Sequence, residues 1–257
     1  MEVITMTTSN STSGDTKRHN AVVLQRLCTN LPKELGGSYS STLGIDLVSV
    51  RSEEIFKWLM ASLLLGDNTN EGTAKKTYGE FEKAKVISSD AILQTGYEGL
   101  VDILDEGNYG AYSFKLASRL MEVADAVEDR YRDDLNYLHF SARDKKDLEE
   151  MLRGLGKGIR MNTANIFLRE MRDLWEKAEP PLSEVTMVAS GNLGLIQAID
   201  AEQALEQLWV MWEENGKTQG RFSDLEAALM RLGKSYCQKR RCLPCPVRPD
   251  CWKANRY

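Results

Sequence analysis

The stretch LEEMLRGLGKGIRMNTANIFL, residues 148–168, reads as helix, glycine-rich hairpin, helix. Gly154, Gly156 and Gly158 permit positive φ and close backbone approach, so the hairpin is expected to turn its N–H groups outward at the N-terminus of the second helix. An anion is favoured there, because first-turn N–H groups have no partner within the helix and the dipole presents its positive end. A phosphate of a nucleic-acid backbone fits that geometry. A plain glycine-rich turn between two helices carries the same letters, so the rest of the chain decides between them.

On both sides apolar residues recur at helical spacing, as in Leu116, Leu120, Val123, Val127 and Tyr131, and again in Leu205, Leu208, Val210, Met211 and Trp212. No alternating strand pair stands out, and the expected fold class is all-α. Ser88 or Ser89 can cap a helix through Ile92 and Leu93. Ser223, with Glu226 three residues on, predicts a capping box opening a helix that runs into Cys237. Turns are expected at Gly36-Gly37, 107–110, 154–158, Pro180-Pro181 and 216–220, which separate roughly ten helices.

The 257 residues are 42% hydrophobic and 28% charged, enough for one sizeable core or two small ones sharing an interface. Collagenous, wholly disordered and small disulfide-rich classes are excluded. No apolar run approaches the roughly 20 residues that cross a bilayer, so no membrane partner is expected. Residues 1–19, without the apolar centre of a secretory signal, read as a disordered tail, and the expected location is cytoplasmic and nucleoid-associated. A net charge of −5 excludes a chain-wide basic coat, so any nucleic-acid surface is local. Between Lys234 and Ala254 six Lys or Arg stand against the single Asp250, which points to an anionic partner at that end.

Cys237, Cys242, Cys245 and Cys251 fall in one short run, spaced C-x4-C-x2-C-x5-C. Such crowding is poor disulfide geometry, and four converging thiolates repel one another unless a cation compensates them. The cluster therefore implies a metal centre that also staples the C-terminus: a [4Fe–4S] cluster or tetrahedral zinc. Zinc modules usually present two separated C-x2-C pairs, whereas this run has one pair with unequal flanks, which favours iron–sulfur. Pro244, Pro246 and Pro249 stiffen the loop. Cys28, in an apolar-leaning stretch, reads as a buried thiol and not a fifth ligand. Trp252 is expected to shield the cluster, Trp58, Trp209 and Trp212 to be core, His19 to lie in the tail, and His139 to be a core or surface residue.

Together these pieces resemble the helix-hairpin-helix DNA glycosylase superfamily, in particular its endonuclease III-like branch with a C-terminal iron–sulfur loop. LLLGDNTN at 63–70 is similar to the family's helix end and loop that enters the duplex, and GAYSFKLASRL at 110–120 to its G-x-Y-x-x-K-A turn and helix. KGIRMNTANIFLRE at 157–170 is similar to the hairpin and its second helix, and LMRLGKSYC at 229–237 to the helix leading to the first cluster cysteine. The ordered set covers about residues 53–251.

The resemblance implies two α-helical domains: a helical barrel domain over 52–178 containing the hairpin, and an iron–sulfur domain in which helices of 20–51 pack with 179–257. A monomer would hold double-stranded DNA in the groove between them. The implied chemistry is hydrolysis of the N-glycosidic bond of a damaged, modified or mispaired base after the base leaves the stack, at a cost of a few kcal/mol. Asn68 is then the side chain that fills the hole, with Asp67 and Asn70 on the same loop. Gly156, Gly158 and Arg160 of the hairpin, and Lys239, Arg240 and Arg241 of the cysteine loop, are the implied phosphate contacts.

Four departures qualify the likeness. Asn162 stands where bifunctional members carry a lysine, and an amide forms no Schiff base, so lyase activity by the usual route should be lost or weak. Arg160 replaces the second hairpin glycine. The family's downstream aspartate falls on Ser183, which leaves Glu184 beside it, or Asp67 from the opposite wall, as candidate carboxylates. The first cysteine gap holds four residues where this branch more often has six. A non-catalytic DNA-binding or lesion-recognition protein of the same fold is the alternative reading.

Overall fold

The computed structural model describes residues 19–66, 69–198 and 200–256. Asp67, Asn68 and all of the expected tail except His19 lie outside them. The described residues form twelve α-helices joined by short loops, with no strand. No described helix is long and apolar enough to cross a membrane.

Two hydrophobic cores organise the chain. The larger gathers α3 (Ser52–Gly66), α4 (Glu71–Lys83), α5 (Ser89–Glu106), α6 (Ser113–Tyr131), α7 (Leu135–Ser141), α8 (Lys145–Arg153) and α9 (Met161–Met171). Its centre is α3, buried on every side from Glu54 to Leu64 except Lys57, as expected of a helix with apolar residues all round. The Trp58 indole N–H donates to the Phe167 carbonyl across 3.0 Å and ties α3 to α9. The smaller core joins α1 (Ala21–Leu35) to α10 (Glu184–Leu193), α11 (Ala201–Asn215) and α12 (Phe222–Leu232). Helix α12 serves both: Ala227 and Met230 face the larger core, while Leu225, Ala228, Leu229 and Leu232 face the smaller.

A seam of buried charge runs between the cores. Arg172 Nε lies 3.3 Å from the Glu226 carboxylate with both side chains almost fully enclosed. Glu170 accepts from the backbone N–H groups of Tyr39 and Ser40, and Asp173 from that of Ser223. The capping box expected at Ser223 and Glu226 is not formed. Helix α12 begins two residues earlier than a Ser223 cap would set, with Arg221 as N-cap; the Arg221 N–H donates to Asp224, and Glu226 is turned inward to Arg172. Ser88 does cap α5, accepting from the Ala91 N–H, and α5 kinks at Gly96, where φ is 68°.

His19 is fixed and not part of a loose tail, its Nε2 lying 2.6 Å from the Leu193 carbonyl. His139 stacks on Trp175 with ring centres 4.9 Å apart, and burial lowers its pKa. Cys28 is buried against Met211, and burial pushes its thiol up to about 11.

Candidate active site and cysteine cavity

The hairpin joins α8 to α9 as expected, but its glycines work differently. None of Gly154, Gly156 and Gly158 has positive φ. Gly156 and Gly158 are buried against α6: a Cβ on Gly158 would lie 2.8 Å from Arg119, and one on Gly156 would lie 3.0 Å from Val123. Close packing, not left-handed backbone, is what needs glycine here. Nor are the hairpin N–H groups all turned outward, since Lys157 donates to the Glu122 carboxylate, Ile159 to the Gly156 carbonyl and Arg160 to that of Gly158. The N-cap of α9, Arg160, makes no side-chain cap and is exposed, which leaves the α9 N-terminus open beside a cation.

Just inside that end lies a cavity of about 470 Å³ between the two cores. Its walls are the end of α3 with Thr69, the first half of α9 with Asn162 and Asn165, the segment 181–185, and α12 running into a π-helical turn, Gly233–Cys237. Asn162 donates to the Gly66 carbonyl at 3.1 Å, which docks the hairpin helix on the end of α3. A Cβ on Gly66 would meet Thr163 Oγ1 at 2.3 Å, so glycine is required for that approach. Ser183 lines the cavity as the N-cap of α10, its Oγ accepting from the Thr186 N–H at 3.1 Å.

Sequence reasoning missed the charged groups of this cavity. Arg169, Glu226 and Lys234 all line it. Asn165 Oδ1 and Arg169 Nε are buried there with no hydrogen-bond partner among the described residues, while Glu226 Oε2 is held by the ion pair with Arg172 Nε. Burial raises the Glu226 pKa against the opposing pull of Arg172 and Arg169. Burial also lowers the Lys234 pKa, with Arg169 and Arg231 adding to the effect. The sequence pointed elsewhere for Glu226, to a helix cap, and for Lys234, to a basic window, while REMRD at 169–173 reads as ordinary helical charge until α9 and α12 are brought together.

Of the expected site residues, Asn162 lines the cavity and Glu184 does not: it is exposed at the first position of α10. Asn70 is the N-cap of α4, with Oδ1 accepting from the Thr73 N–H and Nδ2 donating to Thr73 Oγ1, so both ends of its amide are used locally. The expectations for Asp67 and Asn68 fall on residues outside those described.

Cys237, Cys242, Cys245 and Cys251 line a second cavity, of about 600 Å³, with Asn192, Leu193, Leu232 and Val247 behind them. Arg240, Arg248 and Lys253 stand on its rim. Burial raises the Cys237 and Cys245 thiols. The Cys251 thiol points at the Asn192 carbonyl at 3.5 Å, and the Lys253 N–H donates to the same carbonyl, which holds the loop on α10. A second strap joins Arg26 of α1 to Asp250. Lys239, Arg240 and Arg241 are exposed. Trp252 is outside the cavity lining, and the Arg256 guanidinium lies 4.4 Å above its ring. Among the described residues, no three His, Cys, Asp or Glu side chains are grouped so as to hold a metal ion. The donor set nevertheless suits a thiolate-bound centre, with four sulfurs around one space and cations beside it to balance the charge that thiolates bring.

Two helical lobes with a charged cavity between them, a hairpin at its rim and α12 shared by both cores form an all-α fold of the DNA glycosylase type. A solved thermostable thymine-DNA glycosylase is similar to the chain at a TM-score of 0.55 with 17% sequence identity, covering 92% of this chain and 97% of that one. No family model and no curated protein matches the sequence.

Proposed function

We propose that the protein is a DNA base-excision glycosylase that receives an extruded nucleotide in the cavity between its lobes. The observation that carries this reading is the convergence there of the hairpin helix, the 181–185 segment and a buried carboxylate, in a fold shared with a DNA glycosylase. The α9 N-terminus and exposed Arg160 would take backbone phosphate at the rim, and Lys239, Arg240 and Arg241 would take it on the cysteine loop.

Base removal in this reading is hydrolytic. Asn162 has no amine to attack the sugar, and its amide is already committed to Gly66. Glu226, raised in pKa by burial, is the carboxyl group of the cavity floor and takes the part first given to Glu184. Paired with Arg172, it would face, as a carboxylate, the positive charge that develops on the sugar.

A [4Fe–4S] cluster is the centre proposed for the four cysteines. When bound, it would supply structural rigidity and negative charge, and no bond-breaking step. Tetrahedral zinc needs sulfur atoms about 3.8 Å apart, given Zn–S distances near 2.3 Å. The cysteine spacing, one C-x2-C pair with unequal flanks where zinc modules usually carry two separated pairs, is what favours the larger centre over zinc.

A second reading, lesion recognition without cutting, is favoured by one observation. Both positions where the family keeps its catalytic side chains carry neutral groups in local hydrogen bonds, Asn162 to Gly66 and Ser183 to Thr186. A panel of duplexes carrying damaged, deaminated or mispaired bases separates the two. Release of free base from at least one duplex is the expected result; selective binding across the panel with every base retained would establish the second reading instead.

A further inference from the structure

We propose that Lys234 is the nucleophilic amine of the cavity and captures the aldehyde of an abasic deoxyribose as a Schiff base. The inference rests on the glycosylase reading and extends it to the product of base removal. Loss of the hairpin-helix lysine at position 162 removes an amine from one wall, and the structure supplies another from the wall opposite.

Five observations place it. Lys234 lines the same cavity as Asn162, Ser183 and Glu226. The residue is exposed on the open side, so a sugar seated over the cavity can reach it. Its side chain makes no hydrogen bond or ion pair with any described residue, whereas that of its neighbour Arg231 is engaged by Glu71 and by the carbonyls of Gly36 and Gly37. Its backbone is fixed, because Gly233 packs so tightly on α10 that a Cβ there would lie 2.6 Å from the Val185 carbonyl oxygen. Although the residue as a whole is exposed, partial burial of its amine opposes the charged form, Arg169 and Arg231 add to that, and Glu71 acts the other way.

The chemistry needs nothing beyond water. Once the base has left, the ring-opened sugar presents an aldehyde at C1′. The Nζ lone pair adds to that carbon, the resulting carbinolamine loses water, and a protonated Schiff base remains. Water takes a proton from C2′; the electron pair then moves to break the C3′–O3′ bond, and the phosphate departs as an anion. Hydrolysis of the conjugated Schiff base returns the amine and an unsaturated aldehyde on the nicked strand. Strand cleavage is thereby assigned to Lys234 and not to residue 162.

Borohydride reduction in the presence of a duplex with a preformed abasic site tests this directly. The wild-type protein is expected to give a covalent adduct that maps by mass spectrometry to the peptide containing Lys234. Lys234→Ala and Lys234→Arg should lose the adduct while still binding the abasic duplex, the arginine variant keeping the charge but lacking a competent amine. An adduct on a different lysine, or wild-type binding with no adduct, would overturn the inference and leave the glycosylase reading standing. Failure of the wild-type protein to bind abasic or intact duplex would remove both.

Discussion

Arg172→Ala is expected to lower stability by about 3–5 kcal/mol, measured by denaturant unfolding, the magnitude found when one partner of a buried ion pair is removed. The arginine is enclosed by Glu226, the Pro180 carbonyl and the face of Phe222. The glutamate left behind is 1% exposed and keeps Arg169 as a nearby cation. Replacing both partners with apolar residues of similar size, Arg172→Met with Glu226→Leu, is expected to recover most of the loss, because the desolvation cost of two charges disappears with their attraction. That double variant also separates structure from chemistry: it should fold and bind DNA but release no base if Glu226 serves the reaction. Full turnover in the double variant would show that Glu226 is only structural.

Cys245→Ser is expected to abolish stoichiometric iron and the visible absorption that accompanies it, and to weaken duplex binding with a reduced dependence on salt. Cys245 shares its cavity with three other cysteines, and Lys239, Arg240 and Arg241 lie in the loop between Cys237 and Cys242. Each phosphate contact contributes about 0.9 to the slope of log K against log salt. Freeing three loop cations should therefore remove roughly 2–3 from that slope. Wild-type protein that purifies with zinc and no iron would overturn the choice of centre. A Cys245→Ser variant with unchanged binding and slope would show that the loop does not need it.

The helical architecture was legible in the sequence because it rests on local rules: the 3.6-residue recurrence of apolar positions, Ser88 as a cap, and glycine or proline at each expected turn. The hairpin was legible too, although its glycines are required by the approach of α6 and not by their backbone angles. What was not legible depends on elements distant in the chain. Glu226 and Arg172 are 54 positions apart, and each alone reads as a solvated helical charge. Glu226 even fits a capping-box pattern, and only the presence of Asp224 one turn into α12 shows why the local option loses. Lys234 belongs to a basic window that suggested phosphate contacts, yet the π-helical turn and the close seat of Gly233 on α10 aim it at the cavity instead. Glu184 was the nearest carboxylate to the family position in sequence, but as the first residue of α10 it stands in solvent.

The central claim is that a nucleotide leaves the duplex and enters the cavity between the lobes. Fluorescence of 2-aminopurine set beside a target base measures this without requiring catalysis, since its emission rises when the neighbouring stack is broken. Binding of the wild-type protein is expected to raise the emission, and Asn162→Trp, which crowds the cavity at its rim, is expected to bind without raising it. Tight, salt-sensitive binding that leaves the emission unchanged across the lesion panel would contradict the claim.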